Sequence, residues 1–271
     1  MIPLICIDVD GTLVGASGTV TDKVWEAVDQ ALDRGQQLAL STARGAFGSA
    51  WEMAQRLNPS GWHVFHAGGA IVHSKTSETR GHAIPASALR QLRDLEHSPG
   101  ADNWFLELYS PAAYAVESDS APSVDHAALM GLPFEQSSFD DFLAEQDTII
   151  RAQMVVPVAD IPTVQERLAP LGLSTSSATS PIMVGTAFVS ITQPGITKAT
   201  GITSICNELG LTIDQVMMIG DGLNDLPAIE AVGHPVAMGN AEDEVKTVAN
   251  HIVADVEDDG VVEALELSKN L

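Results

Sequence analysis

The chain has 271 residues, 45% hydrophobic and only 5% aromatic, enough for one large aliphatic core or two unequal domains and too apolar for a disordered polymer. Lys and Arg total 13 against 36 Asp and Glu, a formal charge of −23. That balance argues against nucleic-acid or anionic-membrane partners and obliges any phosphate site to supply local positive charge, from a metal ion or a few placed Lys or Arg.

Residues 2–7 predict a short buried strand that ends at Asp8 and Gly11. The run is too short for a signal peptide or a membrane span. Cys6 in this run and Cys206 later have no partner at metal-ligand spacing, so both read as reduced core residues of a cytoplasmic protein. Apolar residues from Val24 to Leu32 recur at helical spacing, with Gly35 as a stop. A strand over Leu38–Leu40, a helix over Phe47–Leu57 and a strand over Trp62–Phe65 follow. This alternation predicts a parallel sheet covered on both faces.

The middle of the chain, about 83–189, reads differently. Strands are expected at Trp104–Tyr109, Ala113–Glu117, Ile149–Val156 and Ile182–Val184, with helices at Ala86–Leu95 and Ile161–Leu168. Ser118–Ser123 and Ser174–Ser180 read as connections. Beyond it the alternating rhythm returns. A helix is expected over Lys198–Leu209, a strand over Gln215–Ile219, a helix over Leu226–Val232 and a strand over Val236–Met238. A helix over Glu242–Ala249, a strand over His251–Val253 and a closing helix after Asp259-Gly260 complete the chain. An α+β segment is thus expected to interrupt a parallel α/β domain.

Two acidic constellations sit at expected strand ends, where open α/β sheets bind ligands. Asp8-Val9-Asp10-Gly11-Thr12 offers two carboxylates around one residue, then a glycine where the backbone must turn. A calcium loop would need another acidic position before its glycine. Gly220-Asp221-Gly222-Leu223-Asn224-Asp225 adds hard oxygen donors of the kind Mg²⁺ takes together with a substrate phosphate. Thr42, followed by Ala43-Arg44-Gly45, ends a strand before a helix start, an arrangement suited to phosphate. Lys198 opens a helix, where the dipole disfavours a cation and a counter-anion is required.

These four pieces, in this order, resemble the four motifs of the haloacid dehalogenase superfamily, and more narrowly its Cof-type phosphatases. The stretches Val236-Ala237-Met238-Gly239-Asn240-Ala241 and Asp259-Gly260-Val261 also match that group. The resemblance implies an α/β fold, a doubly wound, mainly parallel Rossmann-like sheet formed by 1–82 and 190–271, with an inserted α+β cap at 83–189. It implies a Mg²⁺-dependent phosphatase acting on a small phosphorylated metabolite, such as a sugar phosphate.

In that pattern Asp8 is the nucleophile. Asp10 is the acid/base and a backbone-carbonyl metal ligand. Asp8 and Asp221 bind Mg²⁺ directly, and Asn224 and Asp225 complete or orient the shell. Thr42 and Lys198 hold phosphoryl oxygens, and Ala43, Arg44 and Asn224 join the phosphate- or substrate-binding set. Two departures stand out: Ala43 replaces the usual glycine of the second motif, and Gly68-Gly69-Ala70 replaces Asn-Gly-Ala.

A phosphomutase would use the same aspartates and is the nearest alternative. A receiver-like signalling domain also phosphorylates an aspartate but has no room for a large insertion. His63, His66 and His73 suit no common zinc pattern and read as structural. Phe105, Glu107 and Tyr109 should share one strand face and Arg151 and Gln153 another, each facing either substrate or packing.

Overall fold

In the computed structural model, which describes residues 1–179 and 182–271, strand β1 (Leu4–Ile7) is buried along its whole length. Helix α1 (Asp22–Asp33) begins where the Thr21 hydroxyl accepts the Val24 N–H at 3.3 Å and buries Val24, Ala27, Val28 and Ala31. Gly35, at φ +84°, then turns the chain into β2 (Gln37–Leu40). Helix α2 (Gly48–Leu57) and β3 (Trp62–Phe65) follow, and β3 continues antiparallel into β4 (Ala70–His73) and β5 (Thr79–Gly81). A parallel bridge from Ser41 to Val64 joins β3 to the end of β2.

The segment that follows contains α3 (Ala86–Glu96), β6 (Phe105–Tyr109), β7 (Tyr114–Val116), α4 (Ala121–Met130) and α5 (Phe139–Glu145). It continues through β8 (Arg151–Pro157), α6 (Ile161–Leu168), β9 (Ser174–Thr179) and β10 (Thr186–Thr192). Its strands form one antiparallel sheet in the order β7-β6-β8-β10-β9. Alternation divides that sheet cleanly. Leu106, Leu108, Ala152, Met154, Val156, Ala187, Val189 and Ile191 enter a hydrophobic cluster with α3 and α6. Their neighbours point to the other face.

The chain then resumes with α7 (Lys198–Leu209), β11 (Val216–Gly220), α8 (Leu226–Ala231), β12 (His234–Ala237), α9 (Asp243–Val248), β13 (His251–Ile252) and α10 (Gly260–Leu267). The main sheet is parallel throughout, ordered β13-β12-β11-β1-β2. From its middle the chain steps one way through α1 to β2 and the other way through α8 to β12. Right-handed crossovers in opposite directions put those helices on opposite faces. The strand order therefore reverses between β1 and β11, where an open α/β sheet leaves a crevice for ligand.

Several expectations need correction. Ile182–Val184 is not a strand: it lies in the turn leading to β10, with Val184 88% exposed. Gly185, at φ +87°, turns the chain there, so apolar composition misled. Ser174–Ser180 is not a connection, since Ser174–Thr179 forms β9; Ser180 lies outside the described residues. β9 is an edge strand, where a polar sequence is tolerated. Ser118–Ser123 runs into α4, which Ser120 caps. The antiparallel sheet extends to Thr192, past the boundary expected at 189.

Candidate active site

Asp8 is the first residue after β1, and its N–H still donates to Ile219 O of β11 at 3.0 Å. Only 3% of Asp8 is exposed. Lys198, the first residue of α7, reaches it from the neighbouring element: Nζ donates to Asp8 Oδ1 at 2.7 Å and to Asp225 Oδ1 at 2.5 Å. The counter-anion that a lysine at a helix start requires is thus a pair of buried carboxylates. Asp225 Oδ2 accepts the backbone N–H groups of Asp221 and Gly222, each at 3.2 Å. Both oxygens of Asp225 are therefore committed to the protein.

Asp221 faces Asp8 across the reversal point. Its Oδ1 accepts the Thr12 hydroxyl at 2.9 Å. One carboxylate oxygen from each of Asp8, Asp221 and Asp225 lies within 4.8 Å of the others. Three acidic groups around one lysine leave an electrostatic deficit. Burial, and then the Asp225 charge, hold the Asp8 carboxyl well above its usual range. The same causes raise Asp221 to about 7. Burial works against the Lys198 charge, but Asp225 and Asp8 outweigh it and raise its pKa.

Glycine is dictated at two positions. Gly11 has φ +83°, and a Cβ there would lie 2.2 Å from Asp221 Oδ2, so the turn after Asp10 makes room for the opposite carboxylate. Gly68 has φ +97°, and a Cβ there would lie 1.9 Å from Thr197 O. An asparagine in that conformation would push away the helix start that carries Lys198, which accounts for Gly68 in this chain. Ala43, by contrast, is not among the positive-φ residues, so its methyl group is accommodated.

Asp10 and Arg44 form a bidentate pair, with Nε to Oδ2 at 3.0 Å and NH2 to Oδ1 at 2.6 Å. Arg44 also donates to Ser49 Oγ at 2.9 Å. Thr42 is buried, and its hydroxyl accepts the Arg44 N–H at 3.1 Å. Ala43, Arg44 and Asn224 line a cavity together with Asp8, Asp10 and Asp221, while Thr42 and Lys198 are each only 1% exposed. His63 is structural: Nδ1 accepts the Leu40 N–H at 3.0 Å, and Nε2 bonds Asn58 O at 3.1 Å.

Sequence reasoning assigned Asn240 no role. Its amide donates to Gly11 O at 2.7 Å, and its Oδ1 accepts the Val256 N–H at 2.9 Å. It thereby ties the loop after β1 to the loop before α10. The matching stretch around Asn240 was the available signal, but nothing local in the sequence says that it reaches Gly11.

The cavity, about 260 Å³, is roofed by the antiparallel sheet, through residues including Gln153 and Ser190. Among the described residues no helix is long and apolar enough to cross a membrane.

A haloacid dehalogenase-like hydrolase family model matches residues 5–265. The chain is 27% identical over 266 residues to the 5-amino-6-(5-phospho-D-ribitylamino)uracil phosphatase YcsE of Bacillus subtilis, covering 97% of this chain and 94% of that protein. It is 24% identical to YitU of the same organism, named for the same activity, covering 97% of this chain and 96% of that protein. Among solved structures, a haloacid dehalogenase-like hydrolase from Bacteroides thetaiotaomicron superposes with a TM-score of 0.81 at 26% identity, covering 98% and 99% of the two chains. A subclass IIB sugar phosphatase shares the fold with a TM-score of 0.84 at 20% identity, covering 99% of each chain.

Proposed function

The chain belongs to the haloacid dehalogenase-like hydrolases, and from that premise we propose that it hydrolyses a small phosphomonoester through a phosphorylated Asp8. The observation that carries this reading is the buried Asp8–Lys198–Asp225 cluster with Asp221, opening on a cavity roofed by the inserted sheet. We take residues 1–82 and the C-terminal part as the catalytic unit and the intervening segment as its cap. Asp8 attacks phosphorus; the bond to the leaving oxygen breaks, and Asp10 gives that oxygen a proton. Water then attacks phosphorus, Asp10 takes its proton, and Asp8 is regenerated.

The donor set fits Mg²⁺: hard oxygens from Asp8 and Asp221, with ionisation costs that a divalent cation would remove. The Asp10 carbonyl and Asn224 would complete that shell, and Asp225, with both oxygens engaged, would orient it. When bound, the ion neutralises charge on the transferring phosphoryl group. Lys198 holds Asp8 in place and keeps a third N–H for a phosphoryl oxygen; the Thr42 hydroxyl proton is similarly available. Arg44 occupies both oxygens of Asp10, so this pair must open before Asp10 can transfer a proton. An incoming phosphate draws Arg44 away.

A mutase needs a second strong phosphate site. The two Bacillus relatives matched over almost their whole length are named phosphatases, and that favours hydrolysis. The test is phosphate release from a panel of sugar phosphates and the pyrimidine phosphate of the Bacillus relatives, with Mg²⁺ and with chelator, in wild type and Asp8→Asn. Metal-dependent release that vanishes in Asp8→Asn supports the proposal; release that survives the substitution refutes it.

A further inference from the structure

On the roof of the cavity, the strand faces turned away from the hydrophobic cluster bring Glu107, Tyr109, Arg151, Gln153, Phe188 and Ser190 together. The register pairs Glu107 with Gln153, Gln153 with Ser190, and Tyr109 with Arg151. Arg151 is 2% exposed. A buried guanidinium is costly unless it is paired, yet among the described residues Arg151 forms no direct ion pair with a carboxylate. It donates to Gln153 Oε1 and to Ser190 Oγ (3.3 Å), and its Cζ lies 3.7 Å over the Tyr109 ring. Its Nε is buried without a hydrogen-bond partner.

The nearby carboxylate is already spent. Glu107 accepts from the Tyr109 hydroxyl at 2.6 Å and from Gln153 Nε2 at 2.8 Å, and it bonds His126 Nδ1 at 2.9 Å. Gln153 is thus locked between Glu107 and Arg151, with its carbonyl toward the guanidinium. Around Arg151 the wall presents donor capacity to a ligand, because the Glu107 carboxylate and the Gln153 carbonyl are engaged, and the Ser177 and Thr179 hydroxyls lie on β9, further along the same lining. Beside it the His126 and Phe188 rings, with centroids 4.5 Å apart and planes inclined by 32°, form an aromatic flank of the same cavity.

We propose that Arg151 is the specificity-determining residue for the leaving group, and that it selects phosphomonoesters whose far end carries a planar, oxygen-accepting group, a carboxylate or a ring carbonyl, over all-hydroxyl polyol phosphates. The proposal rests on the phosphatase reading above and extends it to the other end of the substrate.

The experiment compares kcat/KM within two matched pairs: 6-phosphogluconate against sorbitol 6-phosphate, and uridine 5′-monophosphate against ribose 5-phosphate. The first pair reports a carboxylate and the second a ring carbonyl. Wild type favours the acceptor-bearing member of at least one pair by about 10- to 100-fold, the usual worth of a hydrogen bond to a charged group. Arg151→Met collapses that ratio, mainly through KM, and Arg151→Lys restores part of it. Ser190→Ala, the milder change, lowers the ratio in the same direction should Arg151→Met fail to fold. A purely structural role would lower both members of a pair alike.

Ratios near one in wild type, or ratios unmoved by the substitutions, overturn the assignment while leaving the hydrolase intact. If wild type cleaves none of the four compounds, calorimetric binding of gluconate and uridine decides separately. Binding that weakens in Arg151→Met sustains the subsite although none of the four is a substrate, and binding that is absent or unchanged overturns it.

Discussion

Replacing Asp221 with Asn should stabilise the metal-free protein while removing a residue on which the proposed activity depends. Asp221 is held at about 7 instead of 3.8 by burial and by Asp225. Its ionisation therefore works against the native state: the stability present below 3.8 is lost as the pH rises through about 7. At roughly 1.4 kcal/mol for each tenfold change, the loss is about 4 kcal/mol at pH 8 and roughly half that at pH 5.5. An asparagine keeps the oxygen that accepts the Thr12 hydroxyl and carries no charge. In chelator at pH 8, thermal unfolding of Asp221→Asn should come some 5–10 °C above wild type, with a smaller gain at pH 5.5. Added Mg²⁺ should raise the wild type and barely move the variant. A variant that melts at or below wild type in chelator at pH 8 would refute the electrostatic reasoning.

Other consequences follow from the same geometry. Lys198→Met leaves Asp8 and Asp225 buried without their shared cation, and should cost about 3–5 kcal/mol in denaturant unfolding at neutral pH together with all activity; an unchanged midpoint would contradict that. Gly68→Ala places a methyl group against Thr197 O at positive φ, and should lower both the melting temperature and kcat by displacing Lys198, with a loss of more than about 1 kcal/mol. Wild-type behaviour in both measurements would mean that the close approach is unimportant. Asn240→Ala cuts the tie between Gly11 O and the Val256 N–H, and should weaken Mg²⁺ activation by roughly 10- to 100-fold, read as a shifted metal titration; an unshifted curve would count against its positioning role.

The acidic loops were legible in the sequence because each follows a short apolar run. That placement puts Asp8 and Asp221 at neighbouring strand ends whatever lies between them. Lys198 was legible because a cation at a helix start is unfavourable without an anion, and Asp8 and Asp225 are that anion. What could not be read locally was set by distant chain. Asn240 reaches Gly11 only after the sheet has formed, and Gly68 is fixed by Thr197 from the far side of the insertion. In the inserted sheet, alternation placed Arg151 and Gln153 on one face. Only the register with β6 and β10 shows that Glu107 and Ser190 complete their network. β9 escaped recognition because its serines and threonines suit an edge as readily as a loop.

In the proposed reaction phosphate passes covalently through Asp8. The most direct measurement mixes the Mg²⁺-loaded enzyme with a turned-over phosphomonoester, quenches in acid within the first turnover, and maps the modified peptide by mass spectrometry. A phosphate-sized mass increase is expected on the peptide carrying Asp8, absent in Asp8→Asn. Rapid turnover with an unmodified Asp8 at every quench time, or phosphate on a different residue, would contradict it.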